Sequence, residues 1–228
     1  MVRRVFMPGP VGKRKARGPR LSVGRAAGNA PSHHPLLVVL SGPSGVGKDS
    51  VLARLKARGG GYHFAVTATT RSPRPGEVDG RSYHFLTRQR FEEMAAAGGL
   101  MENAVVYDER YGVPKAAVRE ALARGQDVVM RTDIQGVATI KGAVPQAVTI
   151  FLTPASFAEL EERLRLRGAD SEEQFRLRLA TARREMDAAC HFDHVVVNVE
   201  GRLEEAVAEV ERIIAAEREK PGRQVPEV

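Results

Sequence analysis

Tryptophan is missing from this 228-residue chain, aromatic residues make up only 5% of it, and Cys190 is its single cysteine. One cysteine excludes an internal disulfide, and with it the small stapled folds of secreted proteins; a reducing compartment suits the chain. Long apolar runs are lacking too. None approaches the roughly 20 residues that a membrane-spanning helix needs, and the basic N-terminus is not followed by the apolar stretch of a secretory signal. A cytoplasmic protein that engages no membrane is therefore expected. Acidic residues are absent from positions 1–34 altogether.

That last absence decides how the net charge of +7 is read. Arg3, Arg4, Lys13, Arg14, Lys15, Arg17, Arg20 and Arg25 lie in positions 1–34, so the other 27 basic residues face all 28 acids in the body. The basicity belongs to the leader, and for the folded body no nucleic-acid partner is expected. With nine Gly and Pro residues and Phe6 as its one aromatic, the leader buries too little apolar surface to fold. It reads as a disordered basic leader, translated or lying upstream of the true start. An RNA-contacting arm or a targeting peptide is the other reading, against which stands the lack of aromatics for base stacking.

From Pro35 the pattern changes. Leu36-Leu37-Val38-Val39-Leu40 is the short, continuously apolar run of a strand buried on both faces of a parallel sheet. Further strand-like runs fall at 62–66, 105–106, 128–130, 148–152 and 195–197. Helical patterns separate several of them. Pro114 opens one helix, Thr153-Pro154 is expected to cap another, and Ser171-x-x-Gln174 is a capping box before a long one. Leu203, Ala206, Val207, Val210, Ile213 and Ile214 form the core-facing stripe of the last helix. This alternation predicts an α/β fold with a mostly parallel central sheet. Positions from about 68 to 111 depart from it and read as a small inserted β-rich lobe. Residues 219–228 form a C-terminal tail, expected to fray from Pro221 onward.

Gly42-Pro43-Ser44-Gly45-Val46-Gly47-Lys48 follows the first strand and opens a helix, the strand–loop–helix context that a phosphate-binding loop of G-x-x-x-x-G-K spacing requires. Its glycines let backbone N–H groups converge on phosphate oxygens, and Lys48 adds a mobile full charge. Asp49 stands where Ser or Thr usually ligates Mg²⁺, and Ser50 follows one place later. A second constellation is Thr67-Ala68-Thr69-Thr70-Arg71-Ser72-Pro73-Arg74-Pro75-Gly76-Glu77, with Gly80 and Tyr83. Two arginines three apart in a proline-stiffened loop can clamp a phosphate through charge-assisted, bidentate bonds. Cys190-His191-x-x-His194 has the look of a metal half-site but lacks further ligands nearby and is expected to be structural. Met101, Met130 and Met186 fall at apolar positions expected in the core.

The segment from Thr69 to Glu77 with Gly80, Tyr83 and Phe85 resembles the GMP-binding loop of guanylate kinases, a family of P-loop nucleoside monophosphate kinases. Tyr111-Gly112, Asp133-Ile134-Gln135-Gly136, Arg163 to Arg167-Gly168 and Asn198 follow in the family's order. The resemblance implies a P-loop NTPase fold over 35–218, with a GMP-binding lobe at about 68–111 and a helical lid at about 163–180. It implies transfer of the γ-phosphoryl group of ATP to GMP, with dGMP as a second substrate. The catalytic residues would be Lys48, Arg71, Arg163 and Arg178. ATP would be held by Gly42, Pro43, Ser44, Gly45, Val46, Gly47, Lys48, Asp49, Ser50, Arg167 and Asn198. GMP would be held by Thr67, Arg71, Arg74, Tyr83, Glu102, Tyr111 and Asp133. Glu102 and Asp133 would read guanine, whose N1–H and N2 amine are donors that carboxylates accept; adenine would leave these carboxylates unpaired. Mg²⁺ would arrive with ATP, held by phosphates and water, with Ser50 or Asp49 as candidate ligands. A monomer or homodimer is expected.

Three positions depart from the family's pattern. Val113 stands where many relatives place a hydroxyl that bonds guanine. Arg131 stands where relatives often have an acid. Asp49 is expected to turn aside from the metal while Ser50 supplies the hydroxyl. Two other readings remain open at this point. A kinase for another phosphorylated acceptor, such as ribose 1,5-bisphosphate, would share the Gly-Lys-Asp-Ser run. A non-catalytic scaffold domain related to guanylate kinase would usually lack Lys48.

Overall fold

The computed structural model describes residues 34–106, 108–166 and 171–228; positions 1–33 of the basic leader, Tyr107 and residues 167–170, with Arg167 and Gly168, lie outside the described residues. In chain order the first half comprises β1 (Leu37–Ser41), α1 (Lys48–Arg58), β2 (His63–Phe64), β3 (Ala68–Thr69), β4 (His84–Phe85), α2 (Arg88–Ala96), β5 (Leu100–Val106) and β6 (Glu109–Pro114). There follow α3 (Lys115–Ala123), β7 (Val128–Arg131), α4 (Ile134–Ala143), β8 (Val148–Thr153), α5 (Phe157–Leu166), α6 (Glu172–Asp187), β9 (His194–Val197) and α7 (Leu203–Arg218).

A strand with a layer of helices on each face must be apolar on both sides, and β1 meets that demand. Val38 and Leu40 pack with Val51 and Leu55 of α1 and Val207 and Val210 of α7. Leu37 and Val39 point the other way, onto Val118 of α3 and Val137 and Ile140 of α4. The central sheet is parallel throughout, in the order β2-β7-β1-β8-β9. The chain leaves β1 toward one edge and later returns through β8 on its other side. Ligands of open α/β sheets bind at such a reversal, beyond the carboxyl ends of the strands.

The predicted inserted lobe is a second, four-stranded sheet, β4-β3-β6-β5, with antiparallel β3–β6 and β5–β6 pairs. Its own small core is Ala68, Phe91 and Leu100. The α5–α6 pair has another, built on Leu160, Leu164, Phe175 and Ala182, and α6 opens with the predicted Ser171–Gln174 capping box. Met101 and Met130 are buried in the core and Met186 packs on the α5–α6 cluster.

Three sequence expectations need correction. The run at 62–66 pairs as a strand only at His63–Phe64. Thr153-Pro154 does not cap α5: Thr153 still belongs to β8, and the Ser156 hydroxyl accepts the Glu159 N–H at 3.2 Å instead. The segment after Pro221 is packed rather than frayed. Arg223 pairs with the buried carboxylate of Glu217 and donates to the Gln146 carbonyl at 3.1 Å, while the Arg119 guanidinium holds the Val228 carbonyl. A buried carboxylate left without partners is costly, and Lys220, Arg223 and His194 together satisfy Glu217. His194 is thereby engaged, and among the described residues no three His, Cys, Asp or Glu side chains group as a metal site.

Candidate active site

The loop between β1 and α1 is shaped by its backbone. Gly42 has φ +145°, and a Cβ there would run into the Leu152 carbonyl of neighbouring β8, so only glycine fits. The loop is fixed from outside at one carbonyl. The Asn198 amide donates to Val46 O at 2.7 Å, and Arg163 Nη1 to the same oxygen at 3.3 Å. Arg163 is in turn held by the Asn198 carbonyl, Glu159 and Glu200. Lys48 begins α1 and folds back on the loop, its Nζ donating to Gly42 O at 2.5 Å and Pro43 O at 3.1 Å. Burial lowers its pKa, opposed by the charges of Glu185 and Asp49 and assisted by that of Arg131.

Across the cleft the architecture is one of side chains. Arg74-Pro75-Gly76-Glu77 closes as a tight turn, with Glu77 N–H on Arg74 O at 3.0 Å and Gly76 at φ +84°. This is the sequence chemistry of a type II turn, proline second and glycine third. The turn places Glu77 beneath Arg71, whose Nη1 and Nη2 meet the two carboxylate oxygens at 2.7 and 2.6 Å. That bidentate bond, with a second from the Arg74 N–H, holds Glu77 at a pKa of about 2. Arg71 also hydrogen-bonds Tyr111 and lies 4.9 Å from the Tyr83 ring centroid. Its orientation is fixed before any ligand arrives. Arg74 itself is exposed.

The two sides meet around a cavity of about 320 Å³. Gly42, Ser44 and Lys48 line it from the loop; Thr67, Tyr83, Glu102 and Tyr111 line it from the second sheet; Arg131 and Asp133 come from the end of β7. Glu102 is 6% exposed. Burial raises its pKa to about 7, the nearby Asp133 charge adds to this, and a hydrogen bond with Thr132 opposes it. Asp133 caps α4, one carboxylate oxygen accepting the Gly136 N–H at 2.7 Å. A buried and a half-buried carboxylate facing a cleft opposite a cationic loop suit a ligand with donors at one end and phosphate at the other.

Of the predicted residues eight line this cavity, and the others, Arg71 and Arg74 among them, do not. Gly45, Gly47, Ser50, Arg163 and Asn198 line a neighbouring cavity of about 560 Å³ on the other side of the loop. Arg178 is half-buried on α6. Arg167 lies outside the described residues. Val113 is buried in the core with Met101 and Val118 and is not among the residues lining the smaller cavity. Sequence reasoning missed Glu185 and Thr132. Glu185, on α6, accepts the Ser44 N–H of the loop at 3.2 Å, and burial raises its pKa. A glutamate following two arginines in an amphipathic helix carries no spacing signal to mark it. For a divalent cation, the loop offers the oxygens of Asp49 and Ser50, and Asp49 pairs with Arg131. That donor set fits an ion held chiefly by phosphates and water.

A family profile described as "Guanylate kinase" matches residues 34–217. The chain is 48% identical over 195 residues to a guanylate kinase of Gloeobacter violaceus, covering 85% of this chain and 94% of that one. It is 47% identical over 192 residues to guanylate kinase 2, chloroplastic/mitochondrial, of Oryza sativa subsp. japonica, covering 84% of this chain and 67% of the relative. Among solved structures, the guanylate kinase of Anaplasma phagocytophilum superposes with a TM-score of 0.67 at 29% identity, covering 85% and 91% of the two chains.

Proposed function

The chain belongs to the guanylate kinase family and transfers the γ-phosphoryl group of ATP to GMP, and from that premise we propose how its residues divide the reaction. The observation that carries the proposal is the single cavity in which Lys48 and the glycine loop face Glu102, Tyr83 and Tyr111. The loop takes the ATP phosphates on its backbone N–H groups, and Lys48 exchanges the Gly42 and Pro43 carbonyls for phosphate oxygens. A phosphate entering the loop competes with the Glu185 carboxylate for the Ser44 N–H. Arg71, preset by Glu77, holds the acceptor phosphate with Arg74 and Tyr83. Glu102 and Asp133 accept from guanine N1–H and N2, with Thr67 and Tyr111 beside them; dGMP keeps the same base and phosphate.

An oxygen of the GMP phosphate attacks the γ-phosphorus in line; the new P–O bond forms as the bond to the β–γ bridging oxygen breaks, and ADP leaves. No covalent enzyme intermediate is needed. Catalysis is positioning plus charge stabilisation by Lys48 and Arg71. Arg163 on α5 and Arg178 on α6 would act from the proposed lid, and Asn198 would border the adenine. Mg²⁺ bound with ATP would neutralise phosphate charge, and Ser50 or Asp49 would be its candidate protein ligands. The leader 1–34 takes no part in catalysis, no membrane or nucleic acid is needed, and a single cysteine suits a cytoplasmic enzyme. Among the described residues no helix is long and apolar enough to cross a membrane.

A coupled assay with ATP and GMP, dGMP, AMP, UMP or ribose 1,5-bisphosphate tests this reading. GMP should give the highest kcat/KM, dGMP should follow, and AMP and UMP should fall at least ~10²-fold below, because adenine offers an acceptor at N1 and uracil a single N–H without the exocyclic amine of guanine. Preference for ribose 1,5-bisphosphate, or no turnover with any acceptor, would overturn it.

A further inference from the structure

Two of the three positions at which the sequence departs from its family's pattern meet in space. Asp49 directly follows Lys48, Arg131 ends β7, and their side chains form an ion pair. The other terminal nitrogen of Arg131 donates to the Tyr83 hydroxyl at 2.8 Å, and its guanidinium carbon lies 5.9 Å from the centroid of that ring. Arg131 thus reaches from the residue after the P-loop lysine to a residue of the acceptor side. The pair is 31% and 74% exposed, and an ion pair this open to water adds little to stability. Holding the fold together does not explain it.

We propose that Arg131 is an additional ligand of the acceptor phosphate and that Asp49 is its positioning residue. The proposal rests on the reading of the cavity as a GMP site. Arg131 lines that cavity together with Lys48 and Tyr83. Its two contacts occupy two of the five guanidinium N–H donors, and the planar fork matches phosphate oxygens. Arg131 sits close enough to Lys48 to lower that lysine's pKa, while Asp49 acts in the opposite sense. Two cations in one cleft repel each other until an anion arrives, so both favour phosphate between them, and the Asp49 carboxylate holds the second cation in place meanwhile. A carboxylate after the P-loop lysine, unhelpful beside three phosphates if alone, becomes useful once it anchors an arginine. The two departures compensate for each other.

Calorimetric titration with GMP and with guanosine, without ATP or divalent cation, tests this on the full chain, with melting temperature as the control for folding. Arg131→Ala should weaken GMP binding about 10- to 100-fold, as expected for lost hydrogen bonds to a charged group, and should change guanosine binding less than about twofold. Arg131→Lys should recover part of the loss, since charge remains while the fork is gone. Asp49→Ala should weaken GMP about threefold in the wild-type background and not at all beside Arg131→Ala. Equal shifts for GMP and guanosine, or none for either, would overturn the assignment of Arg131. An Asp49→Ala effect that persists without Arg131 would overturn that of Asp49. Should Arg131→Ala fail to fold, Arg131→Gln takes its place with the same expected GMP-to-guanosine contrast. Wild-type protein that binds no GMP would instead sink the reading of the cavity itself, before any substitution is made.

Discussion

The donor and acceptor sides of the cleft are built by opposite means. On the donor side the determinants are main chain: a glycine that only a Cβ-free residue can occupy against Leu152, and a Val46 carbonyl clamped by Asn198 and Arg163. On the acceptor side they are side chains hung on a four-stranded sheet, with Arg71 locked by Glu77 and Glu102 buried beside Thr132. The phosphates of ATP look alike on every nucleoside triphosphate and can be held by backbone donors with Lys48, while on the acceptor side arginines hold the phosphate. A base differs from its rivals in its pattern of donors and acceptors, which side chains must read. The difference teaches where each kind of substitution will act: donor-side changes should slow every transfer alike, and changes to the base-reading carboxylates of the acceptor side should alter which base is chosen.

Lys48→Ala should break the donor side most severely. It removes the loop's only full positive charge at the transferring phosphates, and kcat should fall by at least ~10²-fold with every acceptor. Steady-state assays with GMP and dGMP would check this, with melting temperature confirming that the fold survives; a loss confined to one acceptor would contradict the division.

A smaller effect is expected from pH on the acceptor side. Glu102 titrates at about 7 in the free protein, so it is charged above that value and neutral below it. Guanine needs the charged acceptor, and affinity for guanosine should fall about tenfold from pH 8 to pH 6. Guanosine keeps the titration of a phosphate out of the measurement. Stability runs the other way. Because the folded pKa is raised above the unfolded value, near 4.5, the folded state binds more protons between the two. The Glu102 contribution to stability is therefore lost as pH rises from about 4.5 to 7. Glu102→Gln should flatten both profiles.

The least effect should come from the leader. A chain beginning near Pro35 loses eight positive charges and should keep kcat, GMP affinity and melting temperature within about twofold or about a degree of the full chain. A large fall in melting temperature would show that the leader packs on the body, and loss of RNA association alone would favour the arm reading.

How much of this was legible in the sequence follows the same division. The P-loop and β1 could be read directly, because a strand buried on both faces is a bare apolar run and a phosphate loop has fixed glycine spacing. The strands β2, β3 and β4 are two residues each, too short for an alternating pattern to show, and they exist through pairing with distant partners. The Arg71–Glu77 lock could be foreseen as a proline-glycine turn but not as an ion pair. Ser156 outcompeted Thr153 as a cap because β8 runs on to Thr153. The C-terminal segment has the composition of a loose tail, yet the buried Glu217 in α7 needs its Arg223. Asp49 and Arg131 were each visible as oddities; only the fold makes them neighbours.

The division between the two sides is tested most directly by kinetics of Glu102→Gln with GMP, AMP and ATP varied in turn. The amide can present a donor to guanine N1–H, so kcat/KM for GMP should fall by roughly 1–3 kcal/mol in transition-state terms, and the GMP-to-AMP ratio should narrow accordingly. The KM for ATP should stay within about twofold, since nothing on the donor side has changed. An unchanged GMP-to-AMP ratio, or an ATP KM that moves as far as that of GMP, would contradict the account.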